Sequence, residues 1–188
     1  MTAAGKGKGK GKGRRLRVLL ALALLGIVST PLVLRVYYRV DHLPLILNSS
    51  REQNVSPHLV GAIIFSESRF RANARSHAGA SGLMQLMPET AAEMAEQQGM
   101  RDFSPEKLSD PATNITLGVA YLKYLQLRFR DPQLVLAAYN AGPTVVEQWL
   151  AEGSPVASPE TQAYVKSVLH HERRLRWLYP EWADGQAW

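Results

Sequence analysis

Glu67 is the residue in this sequence best placed for acid–base chemistry. It falls at position i+7 of an apolar segment whose aliphatic side chains recur at i, i+3 and i+4, so a helix would set the carboxylate beside them. These aliphatic residues are Val60, Ile63 and Ile64. Apolar surroundings disfavour the charged form of a carboxylate, and the raised pKa would let Glu67 donate a proton near neutral pH. The alternative is an ordinary glutamate that turns out to solvent at the end of a helix.

Small residues follow Glu67 and suit a loop that approaches a ligand closely. Residues 79 to 82 read Gly-Ala-Ser-Gly, and minimal side chains of this kind permit tight turns. Gln85 is the only strongly polar side chain in the apolar run that comes next, and its amide could serve a ligand or a satisfied position in the core. Ser66 and Ser68 flank Glu67, but no histidine stands at a spacing typical of a nucleophilic serine.

The segments that would hold these residues are predicted to be helical. A serine or aspartate at residues 56, 104, 110, 131 and 158 directly precedes a proline, and such a pair caps and opens helices. Apolar residues between the pairs recur with a helical period, and no segment alternates convincingly as a strand would. The sequence therefore predicts an all-α domain, in which helices begin at or near residues 57, 88, 111, 132, 143 and 159.

Four blocks of this sequence resemble the soluble lytic transglycosylase family of lysozyme-like enzymes, which cleave the glycan strand of peptidoglycan. The first block has Glu-Ser at 67 and 68, a serine at 76, and GASGLMQLMPET from 79 to 90. The other three read DPATNITLGVAYLKYL, AAYNAGPTVV and PETQAYVKSVL, and the four stand in the family order. The resemblance covers about residues 55 to 179 and implies a lysozyme-like helical fold.

The resemblance also implies that Glu67 is the catalytic acid and base. In this family the glutamate protonates the glycosidic oxygen between N-acetylmuramic acid and N-acetylglucosamine, and the muramic acid 6-hydroxyl attacks its own C1. Glu67 would then take the hydroxyl proton, and the product would be a 1,6-anhydro sugar. The residues implied to line the substrate groove are Ser76, Gln85, Met87, Tyr139, Asn140, Glu160 and Tyr164.

Three of these implied groove residues also have structural explanations. Tyr139 is expected to hydrogen-bond to Glu67, although Tyr139 and Asn140 could instead form a capping pair at a helix end. Glu160 lies in a first helical turn, where the helix dipole stabilises a carboxylate without any ligand.

Two other functions remain open on the sequence. A lysozyme-type hydrolase on the same fold would use a second carboxylate to activate water. The candidates for that carboxylate are Glu89, Glu93 and Glu160. A non-catalytic scaffold that binds peptidoglycan would have no need of Glu67, so the presence of this residue favours an enzyme.

The charge distribution gives no reason to expect nucleic acid as a partner. The first 40 residues hold nine of the 22 basic groups and no acidic group, which leaves 13 basic against 16 acidic groups in the rest of the chain. The positive excess therefore belongs to the N-terminus, and the domain is mildly acidic. No cofactor or metal is predicted either, because His170 and His171 are adjacent on a helix and do not share a face.

The N-terminal residues predict a protein anchored in a membrane. Seventeen consecutive uncharged residues run from 18 to 34, which is the low end for a membrane-spanning helix. The basic residues before them predict a cytoplasmic N-terminus. The predicted segments are a disordered basic tail at 1–17, a transmembrane signal anchor at 18–38, a linker at 39–54, the catalytic domain at 55–180 and a C-terminal tail at 181–188.

This organisation predicts a place in the cell and two partners. The partners are peptidoglycan strands and the bacterial inner membrane, with the catalytic domain in the periplasm. A cleaved signal peptide is the alternative to an anchor. The chain has no cysteine, which excludes a lipoprotein anchor.

Overall fold

The computed structural model describes Arg17, Leu19, residues 30–154 and residues 156–182. The chain divides into a unit from Met1 to Arg39 and a unit from Val40 to Trp188. In the first unit residues 30–37 are helical. Most of the predicted anchor at 18–38 and nearly all of the predicted tail at 1–17 lie outside the described residues. Within the part that is described, no helix has both the length and the apolar character needed to cross a bilayer.

The regular secondary structure in the described part of the second unit is helical, so the prediction of an all-α domain is confirmed. The α-helices are α1 (Leu43–Gln53), α2 (Pro57–Glu67), α3 (Pro88–Gln97), α4 (Pro111–Arg128), α5 (Pro132–Ala141), α6 (Pro143–Ala151) and α7 (Pro159–Leu178). Two 3-10 helices span Pro105–Ser109 and Pro180–Trp182. The only β pairing among the described residues consists of isolated bridges, Arg75 with Ser81 and Ser81 with Leu86.

Local sequence explains where most of these helices begin. Helices α2 to α7 all start at proline, whose missing N–H costs nothing at the first helical position. Side chains cap four of them: Ser56, Asp110, Asp131 and Ser158 each accept a hydrogen bond from a backbone N–H two or three residues on. Ser104 makes no such cap, and only a short 3-10 helix follows it.

The predicted linker at 39–54 needs correction, because residues 43–53 form α1. This helix packs against α4 and α2, and Ile46 is fully buried. Leu43, Ile46, Leu47 and Ser50 fall at i, i+3, i+4 and i+7, which is one helical face, but the serine obscures the apolar period in the sequence.

Helix α2 lies at the centre of the domain and ends at Glu67. It is apolar on all sides, as expected of a helix that is buried all round. Among the helices, α7 packs against it most extensively. Gly61 permits this packing, since a Cβ at that position would lie only 3.2 Å from the Leu175 side chain. The two helices therefore fix the position of Glu67 relative to the residues of α7.

The C-terminal end of α7 is fastened to the start of α2. The His58 Nε2 lies 2.8 Å from the Tyr179 carbonyl oxygen, and the His58 ring stacks on Trp182. Trp182 is buried, so the predicted loose tail at 181–188 begins too early. An indole of this size is buried readily when an aromatic partner lies beside it. Residues 183–188 lie outside the described part.

Candidate active site

Glu67 is the last residue of α2 and is half-buried. Burial raises the pKa of the Glu67 carboxyl to about 7, because the apolar surroundings penalise the charged form. The prediction of a proton-donating carboxyl at the end of an apolar helix is thus supported by its position. A carboxyl of this kind is partly protonated at neutral pH and can serve as both acid and base.

The Tyr164 hydroxyl, on α7, lies close to the Glu67 carboxyl. Their interaction opposes the rise in the Glu67 pKa, although burial outweighs it. The two groups fall short of normal hydrogen-bond geometry, and the hydroxyl is buried without a partner among the described residues. Burial holds the Tyr164 pKa well above its usual range, so the hydroxyl keeps its proton. A hydroxyl that keeps its proton is able to donate it to Glu67 when that carboxyl is ionised, and such contacts often tighten only when substrate binds.

Tyr139 does not make the hydrogen bond that the motif led us to expect. Its hydroxyl donates to the Met84 carbonyl oxygen at 2.9 Å instead of to Glu67. Tyr139 still lies close enough for the Glu67 charge to add to the effect of burial in raising the tyrosine pKa. The hydroxyl is satisfied by the backbone of the loop before α3, which comprises residues 68–87, so Tyr139 joins α5 to that loop.

Asn114, on α4, is the residue of this site that sequence reasoning missed. It is fully buried, and its Oδ1 accepts a hydrogen bond from the Met84 N–H at 2.7 Å. Its Nδ2 donates to the Ser81 and Leu108 carbonyl oxygens, each at 3.0 Å. One amide therefore joins the loop, the first 3-10 helix and α4. The sequence carries little signal for this residue, because the polar residues Thr113 and Thr116 stand on either side of it near the start of the helix.

Two glycines let the loop lie against Asn114 and α4. Gly82 has φ +83, and a Cβ there would collide with the Asn114 amide and the Leu108 carbonyl oxygen. Gly118 leaves the space on α4 that the Met84 side chain fills. The small residues after Glu67 thus permit close approach of the loop to the protein's own core.

Gln85 lies in the loop in the left-handed backbone region, at φ +47. Its Nε2 donates to the Gly82 carbonyl oxygen at 2.8 Å and to the Ala74 carbonyl oxygen at 3.1 Å. The amide nitrogen therefore closes the loop. The sequence allowed either a ligand contact or a satisfied position inside the protein, and this nitrogen has the second role. The side chain is only half-buried, so the remainder of the amide borders the surface.

The other implied groove residues lie at the surface around the same elements. Ser76 is exposed, and its Oγ accepts the Ala80 N–H at 3.0 Å. Met87 is 38% exposed, which is unusual for a methionine next to a core loop. The Asn140 Oδ1 accepts the Thr161 hydroxyl at 2.9 Å, and this bond brings the end of α5 to the start of α7, where Glu160 is exposed.

None of the three candidates for a second carboxylate is placed like Glu67. Glu89, Glu93 and Glu160 are all exposed. None of them contributes to the shift in the Glu67 pKa, which burial and Tyr164 determine. A close carboxylate pair of the kind used by retaining glycosidases would couple the two charges.

The chain matches the family model of the transglycosylase SLT domain over residues 44–158. It is also 34% identical over 139 residues to the soluble lytic murein transglycosylase of Salmonella typhimurium. That alignment covers 68% of this chain and 22% of the relative, so the chain spans about a fifth of the relative's length.

Two solved structures are similar to this one. One is an inactive variant of the lytic transglycosylase Slt from Pseudomonas aeruginosa, with a TM-score of 0.72 and 32% identity over 81% of this chain and 26% of that chain. The other is the 70-kDa soluble lytic transglycosylase in complex with bulgecin A, with a TM-score of 0.74 and 29% identity over 82% of this chain and 27% of that chain. The predicted lysozyme-like helical fold is therefore confirmed, while the predicted anchor helix remains a prediction.

Proposed function

Because the chain belongs to the transglycosylase SLT domain family, we propose that it is a peptidoglycan lytic transglycosylase. The bond it cleaves is the β-1,4 bond between N-acetylmuramic acid and N-acetylglucosamine, and the new end is a 1,6-anhydro sugar. One observation carries the proposal: a half-buried carboxyl, Glu67, with a pKa raised to about 7 at the end of an apolar helix. The name of the Salmonella relative supports the same reaction class.

In the first step, protonated Glu67 donates its proton to the glycosidic oxygen while the bond from that oxygen to C1 breaks. Burial keeps a substantial protonated fraction at neutral pH, since the pKa of Glu67 is about 7. The negative charge that then develops on Glu67 lies close to the Tyr164 hydroxyl, which retains its proton and is able to donate it in a hydrogen bond.

In the second step, the muramic acid 6-hydroxyl attacks C1 and Glu67 accepts the proton of that hydroxyl. The glycosidic oxygen keeps the electron pair of the bond broken in the first step and, with the proton from Glu67, becomes a hydroxyl group of the departing N-acetylglucosamine. The new bond from C1 to O6 closes the anhydro ring. No water is consumed, so no second carboxylate is required. Glu89, Glu93 and Glu160, the candidates for a carboxylate that would activate water, are all exposed, which favours this reaction over hydrolysis.

Intramolecular attack depends on the shape in which the sugar is held, because a well-oriented internal hydroxyl has a high effective concentration. We assign this holding role to the loop before α3 and to the ends of α5 and α7 that border it. The residues assigned are Ser76, Gln85, Met87, Tyr139, Asn140 and Glu160, with Tyr164 beside the acid.

We further propose that the enzyme acts on the periplasmic side of the bacterial inner membrane. The support is the uncharged run from 18 to 34 and the basic residues that precede it. Cell-wall glycan is the substrate expected in that compartment.

The proposal is tested by incubating purified peptidoglycan with the full chain and with a Glu67→Gln variant, and measuring released muropeptides. The variant keeps the shape of the side chain but cannot donate the proton, so release should fall by at least about 100-fold. Glu96→Gln, at an exposed position of α3, is the matched control and should be fully active. Normal release by Glu67→Gln would refute the assignment of the acid.

A further inference from the structure

The exposed face of α7 concentrates positive charge in a domain that is otherwise mildly acidic. The residues on this face recur at i, i+4, i+7, i+8 and i+11, and each is exposed. They are Lys166, His170, Arg173, Arg174 and Trp177, called here the cationic stripe. The two carboxylates of α7 lie away from the stripe: Glu160 is in the first turn, and Glu172 is buried and paired with Arg176 at 2.8 Å.

We propose that the cationic stripe docks the catalytic domain on a bilayer surface that contains anionic phospholipid. Lysine and arginine are attracted to the negative potential of such a surface, each by about a factor of five in partitioning. Trp177 is 55% exposed and lies within one helical turn of Arg173 and Arg174. An indole is the side chain that favours the headgroup level of a bilayer, where its ring is half in an apolar and half in a polar medium.

The shape of the cationic stripe fits a flat surface. From Lys166 to Trp177 the stripe follows one side of α7 for about 16 Å, at 1.5 Å per residue. Side chains on one convex face reach a plane together, whereas a polymer strand is normally bound in a concave groove. An acidic protein would complement the charge, but the exposed indole at the C-terminal end of the cationic stripe favours lipid.

The cationic stripe lies on a different side of α7 from the proposed active site. Tyr164, which lies close to Glu67, is roughly 140° around the helix axis from Trp177 at 100° per residue. The side of α7 that bears the stripe therefore faces away from the side that borders the acid. A domain docked through the stripe would keep Glu67 accessible to glycan strands above the membrane.

The test uses the full chain, which has no cysteine of its own. A single His170→Cys substitution places a nitroxide label in the middle of the cationic stripe, and Leu127→Cys places one on α4 at a 72% exposed position as the matched control. Each protein is reconstituted in vesicles of phosphatidylcholine alone or mixed with phosphatidylglycerol. Collision of the label with oxygen and with a water-soluble nickel chelate then reports whether it lies at the bilayer.

We expect the label at 170, and not the label at 127, to become shielded from nickel when phosphatidylglycerol is present. Adding Arg173→Gln and Arg174→Gln should lower the ratio of docked to undocked protein about 25-fold, while lysine at both positions should preserve docking. Equal nickel access in both lipid mixtures would overturn the proposal. So would shielding that appears only when soluble peptidoglycan fragments or an acidic protein are added. Because the readout is position and not turnover, its failure is distinct from failure of the proposed catalysis.

Discussion

The Tyr139 hydroxyl donates a hydrogen bond to the Met84 carbonyl oxygen at 2.9 Å, and so joins α5 to the loop before α3. The N–H of the same Met84 is held by Asn114 of α4 at 2.7 Å. Both polar backbone groups of one loop residue are thus fixed by side chains from two different helices. The loop assigned to hold the sugar is positioned by the helical core, and not by its own turns alone.

Replacing Asn114 by alanine should destabilise the domain by about 2–4 kcal/mol, because it leaves the Met84 N–H and the Leu108 carbonyl oxygen without their partner and removes one of two hydrogen bonds to the Ser81 carbonyl oxygen. Chemical denaturation measures this free energy of unfolding. Asn48→Ala, at an exposed position of α1, is the matched control and should change it by less than about 0.5 kcal/mol. Equal stability of the two variants would show that Asn114 does not hold the loop.

Replacing Tyr164 by phenylalanine should raise the pKa of Glu67 further, because the tyrosine hydroxyl opposes the effect of burial. Activity at high pH is limited by loss of the Glu67 proton, so the alkaline limb of the pH profile should move to higher pH. The rate at the optimum should fall by about 10-fold or more, since the ionised carboxylate loses a donor. An unchanged alkaline limb would mean that the hydroxyl does not act on Glu67.

The contribution of Glu67 to the stability of the folded domain should fall as pH rises towards neutrality. Folding raises the pKa of Glu67 from an ordinary 4.5 to about 7, so the contribution of this group is complete below pH 4.5 and is lost as pH rises through 7. Glu67→Gln has no such loss. Between about pH 5 and pH 8 the variant should therefore gain about 2 kcal/mol in unfolding free energy relative to wild type, after allowance for the partial exposure of the group.

Urea denaturation of both proteins at the two pH values measures this difference. Glu96→Gln should show none, since Glu96 is exposed. A constant difference between wild type and Glu67→Gln at the two pH values would mean that the carboxyl is not desolvated in the folded state.

Features of the fold that depend on neighbouring residues could be predicted from the sequence. Helix starts at Pro57, Pro111 and Pro159 follow from a cap and a proline side by side, and the apolar period of α2 placed Glu67 correctly. Position along a helix is a local property, so these features could be read directly.

The contacts that position the site could not be read in the same way. Asn114 and Tyr139 meet Met84 across 30 and 55 residues of sequence, and only the packing of α4 and α5 brings them there. Family motifs indicated that Tyr139 belongs to the site but not which acceptor it uses. Helix α1 was missed because Ser49 and Ser50 are buried serines, which composition alone assigns to a loop.

We propose that Glu67 drives an intramolecular reaction, and the masses of the muropeptides released by the full chain decide whether it does. We expect 1,6-anhydro products, each lighter by one water than the corresponding reducing sugar, with none formed by Glu67→Gln. Reducing sugars as the main products would contradict it, because they would require an activated water and a second carboxylate that the described site does not provide.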